Sequence, residues 1–212
     1  MRIMPGEFIV TLGDVSNIPG MFEGHFLKGR SEPRIAMVGR SNVGKSSLIN
    51  ALLQARLAQV SKEPGKTRAI HFYLWKEMGK IVADLPGYGY ARAGHDERDR
   101  WARFINAYLK EDGNLERAMV LLDARHGPTE LDLEAIGFLS LKGIPVTFIM
   151  TKFDALKTQS DRARRSKEVN AVLKDMGYGP KDVYWVSATS KDGLKTLTRA
   201  ISVGKYGDEE ND

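Results

Sequence analysis

Gly39 to Asn50 reads GRSNVGKSSLIN and follows the apolar run Ile35 to Val38 without a break. Two glycines, a lysine and two serines stand where a strand ends and an apolar helical pattern begins. Gly39, Gly44, Lys45 and Ser46 fit G-x-x-x-x-G-K-[ST], placed between a strand and a helix as a phosphate-binding loop must be. In that position the backbone N–H groups of a glycine-rich turn and the positive end of the helix dipole converge on one anion. Lys45 would neutralise the outer phosphates, and the Ser46 hydroxyl would face a magnesium ion. A glycine-rich loop that only caps a helix is the competing reading, so the rest of the chain has to decide.

The 212 residues are 42% hydrophobic, enough for one domain with a sizeable core. The chain has no cysteine, which excludes disulfides, thiolate catalysis and cysteine-ligated zinc. Its four histidines are scattered without metal-ligand spacing. No apolar run approaches the length of a membrane span, and Met1 to Gly20 lacks the features of a secretory signal. A cytoplasmic location without a membrane partner is therefore expected. The formal charge of +5 permits a polyanionic partner and equally suits an ordinary soluble surface.

Short apolar runs alternate with amphipathic stretches, the pattern of a mostly parallel sheet covered by helices on both faces. Strands are expected at Arg34 to Val38, Ile70 to Trp75, Lys80 to Ala83, Ala118 to Leu122, Val146 to Met150 and Val183 to Val186. Helices are expected at Lys45 to Gln54, His95 to Lys110, Leu131 to Leu141, Ser160 to Met176 and Leu194 to Val203. Only Lys76 to Gly79 separates the second and third strands, too little for a crossover helix, so that pair must be antiparallel. The expected organisation is an N-terminal extension over 1–30 with at most one short strand, a nucleotide-binding domain over 31–204, and a disordered acidic tail over 205–212.

Three further strand ends weigh against the plain-loop reading. Asp84-Leu85-Pro86-Gly87 puts an acidic residue at a strand end and a glycine three on; the aspartate can hold a magnesium-bound water and the glycine N–H can approach a γ-phosphate. Taken singly, D-x-x-G also describes an ordinary turn. Thr151-Lys152-Phe153-Asp154 follows the fifth strand. The Asp154 carboxylate can accept from guanine N1–H and the exocyclic amine together, a pairing adenine cannot make, while the Lys152 stem covers the base plane. Ser187-Ala188-Thr189, after the sixth strand, offers a backbone N–H to guanine O6. Taken alone, the Asp84 and Thr151 motifs would read as turns, and the order and strand-end placement of all four motifs are jointly specific.

From Arg34 to Gly204 the chain thus resembles a guanine-nucleotide-binding GTPase of the Ras-like P-loop fold, an α/β architecture with about six strands. More narrowly, GRSNVGKSSLIN, Pro64-Gly65-Lys66-Thr67-Arg68, DLPGYGYA from Asp84 to Ala91, and TKFD resemble the bacterial EngB family. The segment Phe8 to Gly24 also looks like that family's extension. The resemblance implies a cytoplasmic, monomeric GTPase that binds GTP and GDP with Mg2+ and assists assembly of the large ribosomal subunit, with ribosomal RNA or an assembly intermediate as partner. It implies nucleotide contacts from Gly39, Arg40, Ser41, Asn42, Val43, Gly44, Lys45, Ser46 and Ser47, from Gly65, Lys66 and Thr67, and from Asp84, Leu85, Pro86 and Gly87. The base would be met by Thr151, Lys152, Asp154, Ser187, Ala188 and Thr189. Magnesium would be held by Ser46, Thr67 and, through water, Asp84. Thr151 stands where most such GTPases carry asparagine, and threonine is common in the EngB group.

No catalytic residue is identified. Tyr88 follows the D-x-x-G motif where Ras-type enzymes place the glutamine that orients water, and a phenol cannot do that work in the same geometry. Slow unaided hydrolysis is expected. Asn42 and Thr67 are candidates. In related GTPases an asparagine at the Asn42 position helps hold a K+ ion beside the phosphates, whereas asparagine also simply suits a turn. Thr67 takes the switch-I role by resemblance, with a plain loop threonine as the alternative. Arg162, Arg164, Arg165, Lys167 and Lys174 read as a solvated helix face or an RNA contact, and Arg92, Arg98, Arg100 and Arg103 as a charge set in the second switch. Trp75, Trp101 and Trp185 read as packing. The other function class left open is a nucleotide-gated protein-binding module acting in cell division, such as septation, or in tRNA modification.

Overall fold

A computed structural model of the chain describes residues 4–13, 27, 29–60, 69–89 and 95–202, with backbone only over 95–101. The strands are β1 Glu7–Leu12, β2 Arg34–Gly39, β3 Ile70–Trp75, β4 Lys80–Asp84, β5 Leu115–Asp123, β6 Val146–Thr151 and β7 Val183–Trp185. The helices are α1 Lys45–Leu53, α2 His95–Glu111, α3 Glu130–Leu141, α4 Gln159–Asp175 and α5 Leu194–Ser202. All strands join one sheet in the order β1-β3-β4-β2-β5-β6-β7.

All six residues of β2 are buried, as are those of β4 and β6. Such continuous apolar runs belong to parallel strands covered on both faces. Alternation sorts each strand between two layers. Ile35 and Met37 of β2 face a layer with Leu48, Ile49, Leu52 and Leu53 of α1 and Leu197 and Ile201 of α5. Ala36 and Val38 face Tyr108 of α2, Ile136 and Leu139 of α3, and Leu173 of α4. The four apolar residues of α1 lie on one stripe, and their burial contributes on the order of 10 kcal/mol before the opposing chain entropy.

β3 and β4 pair antiparallel through the Lys76–Gly79 turn, as its length requires, and Gly79 takes φ +57° there. β2 pairs parallel with both β4 and β5, and β6 with β5 and β7. The strand beyond the expected six comes from the N-terminal segment: β1 lies antiparallel on β3, with a register shift between Phe8 and Val10. It covers an edge that β3 would otherwise expose. Trp75 is buried, and Trp185 is half-buried with its ring 5.5 Å from that of Phe153. The Trp101 side chain lies outside the described residues. Among the described residues no helix is long and apolar enough to cross a membrane.

Candidate functional site

The chain adds β4 on one side of β2 and β5 on the other, so the topology reverses at β2. In open α/β sheets the crevice outside the strand ends at such a point is where ligands bind. The loop Gly39–Gly44 occupies it. A side chain at Gly39 would crowd its neighbours, because a Cβ would lie 2.9 Å from Val43 Cγ1 and 3.1 Å from Leu121 Cβ. Asn42 and Gly44 take left-handed φ of 65° and 103°, conformations that asparagine and glycine tolerate. Gly44 caps α1 without any side-chain hydrogen bond, and the first turn of α1 holds no acidic residue. The N-terminal end of α1, carrying Ser46 and Ser47, therefore has no side-chain cap and no carboxylate of its own first turn to occupy its backbone donors.

Strand ends bring the remaining motifs to this loop. Lys45 and Asp84 form an ion pair, and both are buried. Leu85 N–H donates to Met37 O at 3.2 Å, carrying the D-x-x-G segment along β2 with Leu85 and Pro86 buried. Gly87 then passes so close to the loop that a Cβ would sit 3.1 Å from Ser41 N and 3.3 Å from Gly39 O. Arg40 bridges in parallel to Tyr88, and Ser41 N–H donates to Tyr88 O at 3.1 Å.

The Thr151 hydroxyl ties the end of β6 to the loop, 2.6 Å from Val43 O and 3.1 Å from Leu122 O. Lys152, at φ +57°, lays its stem beside Gly44 and donates from Nζ to Asn42 O at 2.7 Å. The same ammonium reaches Asp123 Oδ2 at 2.8 Å. Asp154 sits in a 3-10 turn fixed by Phe153 N–H on Val186 O at 3.1 Å, and its carboxylate makes no hydrogen bond among the described residues. Ser187 is fully buried; its Oγ accepts from Thr189 N at 3.2 Å and Ser190 N at 3.0 Å, shaping the turn around Ala188.

Asp123 escaped the sequence reading. Burial disfavours its charge, but hydrogen bonds from Arg125 and Lys152 outweigh that and hold its carboxyl well below the usual range. The available signal was a carboxylate directly after the apolar run Ala118 to Leu122 of β5, as Asp84 follows the apolar run of β4. Tyr88 is buried and its hydroxyl donates to Asp132 of α3, so it faces the core and not the loop. Gly65, Lys66, Thr67 and Arg92 lie outside the described residues, as do the side chains of Arg98 and Arg100; Arg103 is exposed.

The basic helix is partly consumed internally. Arg165 donates to Arg125 O at 2.8 Å and His126 O at 3.1 Å, and Arg162 stacks 4.4 Å over Phe153. Arg164, Lys167 and Lys174 are exposed.

With this geometry in place, comparison with known proteins is specific. Residues 34–152 match the family described as 50S ribosome-binding GTPase. A probable GTP-binding protein EngB from Desulfovibrio desulfuricans is 48% identical over 177 residues, covering 83% of this chain and 85% of its own. Its counterpart from Thermotoga maritima is 40% identical over 193 residues, covering 91% and 94%. The crystal structure of a probable GTP-binding protein engB is similar at a TM-score of 0.60 and 26% identity, covering 79% of this chain and 96% of its own. Era, solved in complex with MgGDPNP and nucleotides 1506-1542 of 16S ribosomal RNA, shares the fold at a TM-score of 0.65 and 21% identity, covering 85% of this chain and 58% of its own.

Proposed function

Since the chain belongs to the EngB family of GTP-binding proteins and is a GTPase of the Ras-like fold, we propose that it is a slow GTP-dependent switch assisting assembly of the large ribosomal subunit. The observation that carries the reading is the convergence of the Gly39–Gly44 loop, Asp84, Lys152 and Asp154 at the sheet's switch point, in a chain whose family is described as ribosome-binding. In this reading residues 31–204 form the nucleotide-binding unit, 1–30 an extension that supplies β1, and 205–212 a tail.

The loop N–H groups from Arg40 to Ser47 cradle the phosphates, and Lys45 exchanges Asp84 for phosphate oxygens. Asp154 reads the guanine edge, Lys152 covers its plane, and Ala188 N–H, in the turn between Ser187 and Thr189, meets O6. By the family pattern Gly65, Lys66 and Thr67 would contact the nucleotide, as would Leu85, Pro86 and Gly87. A hydroxyl on the first turn of α1 and the buried Asp84 carboxylate make a donor set of hard oxygens, which suits Mg2+. Ser46, Thr67 and, through water, Asp84 would hold that ion, and when bound it neutralises charge on the β- and γ-phosphates. Among the described residues no three His, Asp or Glu side chains make a metal cage of their own. That agrees with Mg2+ sharing its shell with phosphate and water.

With Tyr88 turned to the core, the residue after D-x-x-G does not orient water, and unaided hydrolysis should be slow, within about an order of magnitude of the unassisted Ras rate of roughly 10⁻⁴ per second. A K+ ion beside Asn42 would raise that rate, and Asn42→Ala would abolish the difference between potassium and sodium salts. The central test is co-sedimentation with purified large-subunit particles at several salt concentrations. Binding should be stronger with a non-hydrolysable GTP analogue than with GDP, and should fall as salt rises. Binding that ignores the nucleotide, or none at low salt, would overturn the ribosomal role.

A further inference from the structure

The D-x-x-G segment is held from two sides at a single residue. On the backbone side, Tyr88 O accepts from Ser41 N–H at 3.1 Å, so the phosphate-binding loop grips it. On the side-chain side, Tyr88 OH donates to Asp132 Oδ1 at 2.8 Å within the protein interior. Asp132 is 2% exposed, and its other oxygen closes the capping box of α3 by accepting from Thr129 N at 2.8 Å and Thr129 Oγ1 at 2.7 Å. Gly89, at φ +74°, is wedged in the same way: a Cβ there would sit 3.2 Å from Leu131 Cδ1 of α3 and 3.3 Å from Arg40 Cγ.

We propose that Tyr88 is a positioning residue, a latch that ties the D-x-x-G segment to the capped N-terminus of α3 and holds Gly87 beside the phosphate-binding loop. The proposal rests on the reading that this loop binds guanine nucleotide. Burial, with the Asp132 carboxylate beside it, pushes the phenol far above its ordinary pKa, so it remains a donor throughout the working pH range. A γ-phosphate would be met by Gly87 N–H. Holding that glycine against Ser41 in advance removes ordering that triphosphate binding would otherwise require. A diphosphate makes no such contact and gains nothing from the latch. Conversely, a shift of Gly87 is passed to the first turn of α3 through a rigid ring and a charged hydrogen bond. The residue replacing glutamine is thus used for preference between nucleotides and not for chemistry.

The test compares affinities for a non-hydrolysable GTP analogue and for GDP in wild type and Tyr88→Phe. Phenylalanine keeps the ring in the core and removes only the donor. The analogue-to-GDP affinity ratio should fall about tenfold, the scale of one lost hydrogen bond to a charged group. In an Asp132→Ala background, Tyr88→Phe should have no further effect on that ratio. A purely structural tyrosine would lower the melting temperature and leave the ratio unchanged, and that result overturns the latch while nucleotide binding stands. Wild type that binds neither nucleotide would overturn the nucleotide reading and the latch with it. A measurement on unmodified protein covers the case of variants that do not fold. Hydrogen exchange over 130–135 should differ between analogue and GDP, and identical protection also overturns the proposal.

Discussion

At the scale of residues, Lys45 is paired with Asp84 and Lys152 with Asp123. Asp154, by contrast, is a carboxylate without a hydrogen-bond partner among the described residues, held by the turn after β6. Asp154→Asn replaces an acceptor with a donor where guanine also donates. GTP affinity should fall about 100-fold, and xanthine nucleotides, whose 2-oxo group accepts, should become preferred in fluorescence titrations. Asp123 carries a second prediction. Its folded pKa is depressed, so its stabilisation is complete above the unfolded value near 4 and is lost as pH falls through it toward the folded value. Urea midpoints should show this as a loss of stability on the acid side. Asp123→Asn should be about 1–2 kcal/mol less stable at pH 7, with a flatter profile below pH ~4, the Arg125 contribution being reduced by its exposure. Tyr88→Ala would be an unclean probe of catalysis, because removing a buried ring leaves a cavity.

At the scale of elements, β2, the loop and α1 work as one unit. α1 begins without a side-chain cap, a defect in an ordinary helix that its buried apolar stripe offsets. The loop's path depends on the strand supporting it. Gly39→Ala would drive a methyl group into Val43 Cγ1 at 2.9 Å and near Leu121 O at 3.2 Å. We expect a loss of about 1–3 kcal/mol in thermal unfolding, together with weakened nucleotide binding as the loop shifts away from Leu121. Helix α4 shows how an element's charge pattern can mislead. Five basic side chains suggest one polar face, yet Arg165 pins the β5–α3 loop through two carbonyls and Arg162 covers Phe153. A phosphate contact from this helix would have to use Arg164, Lys167 or Lys174.

At the scale of the whole molecule, the two ends of the sheet have different duties. The strand ends beside the loop carry the site. The opposite end is closed by the buried ion pair of Arg34, at the start of β2, and Asp112, after α2, with the Tyr108 hydroxyl beside them. Arg34→Met strands a buried carboxylate and should cost about 3–5 kcal/mol in urea unfolding, whereas Arg34→Met with Asp112→Leu should recover most of it. The pair lies about 17–20 Å from the loop along β2, so nucleotide preference should be unchanged in every variant that folds.

The sequence alone determined whatever depends on neighbours along the chain. Short apolar runs between amphipathic stretches announced the strands, the short Lys76–Gly79 link required an antiparallel pair, and the glycine-lysine-serine loop marked the phosphate end. These features are local because backbone geometry is local. Only the tertiary structure decided which distant groups meet: Lys45 with Asp84, Lys152 with both Asp123 and the Asn42 carbonyl, Tyr88 with Asp132, and β1 along the open edge of β3. A buried polar atom must find a partner, but many side chains of the right chemistry could supply one. Periodicity gives the face a residue occupies and leaves its partner across the fold open, and closing the sheet at its switch point makes that choice.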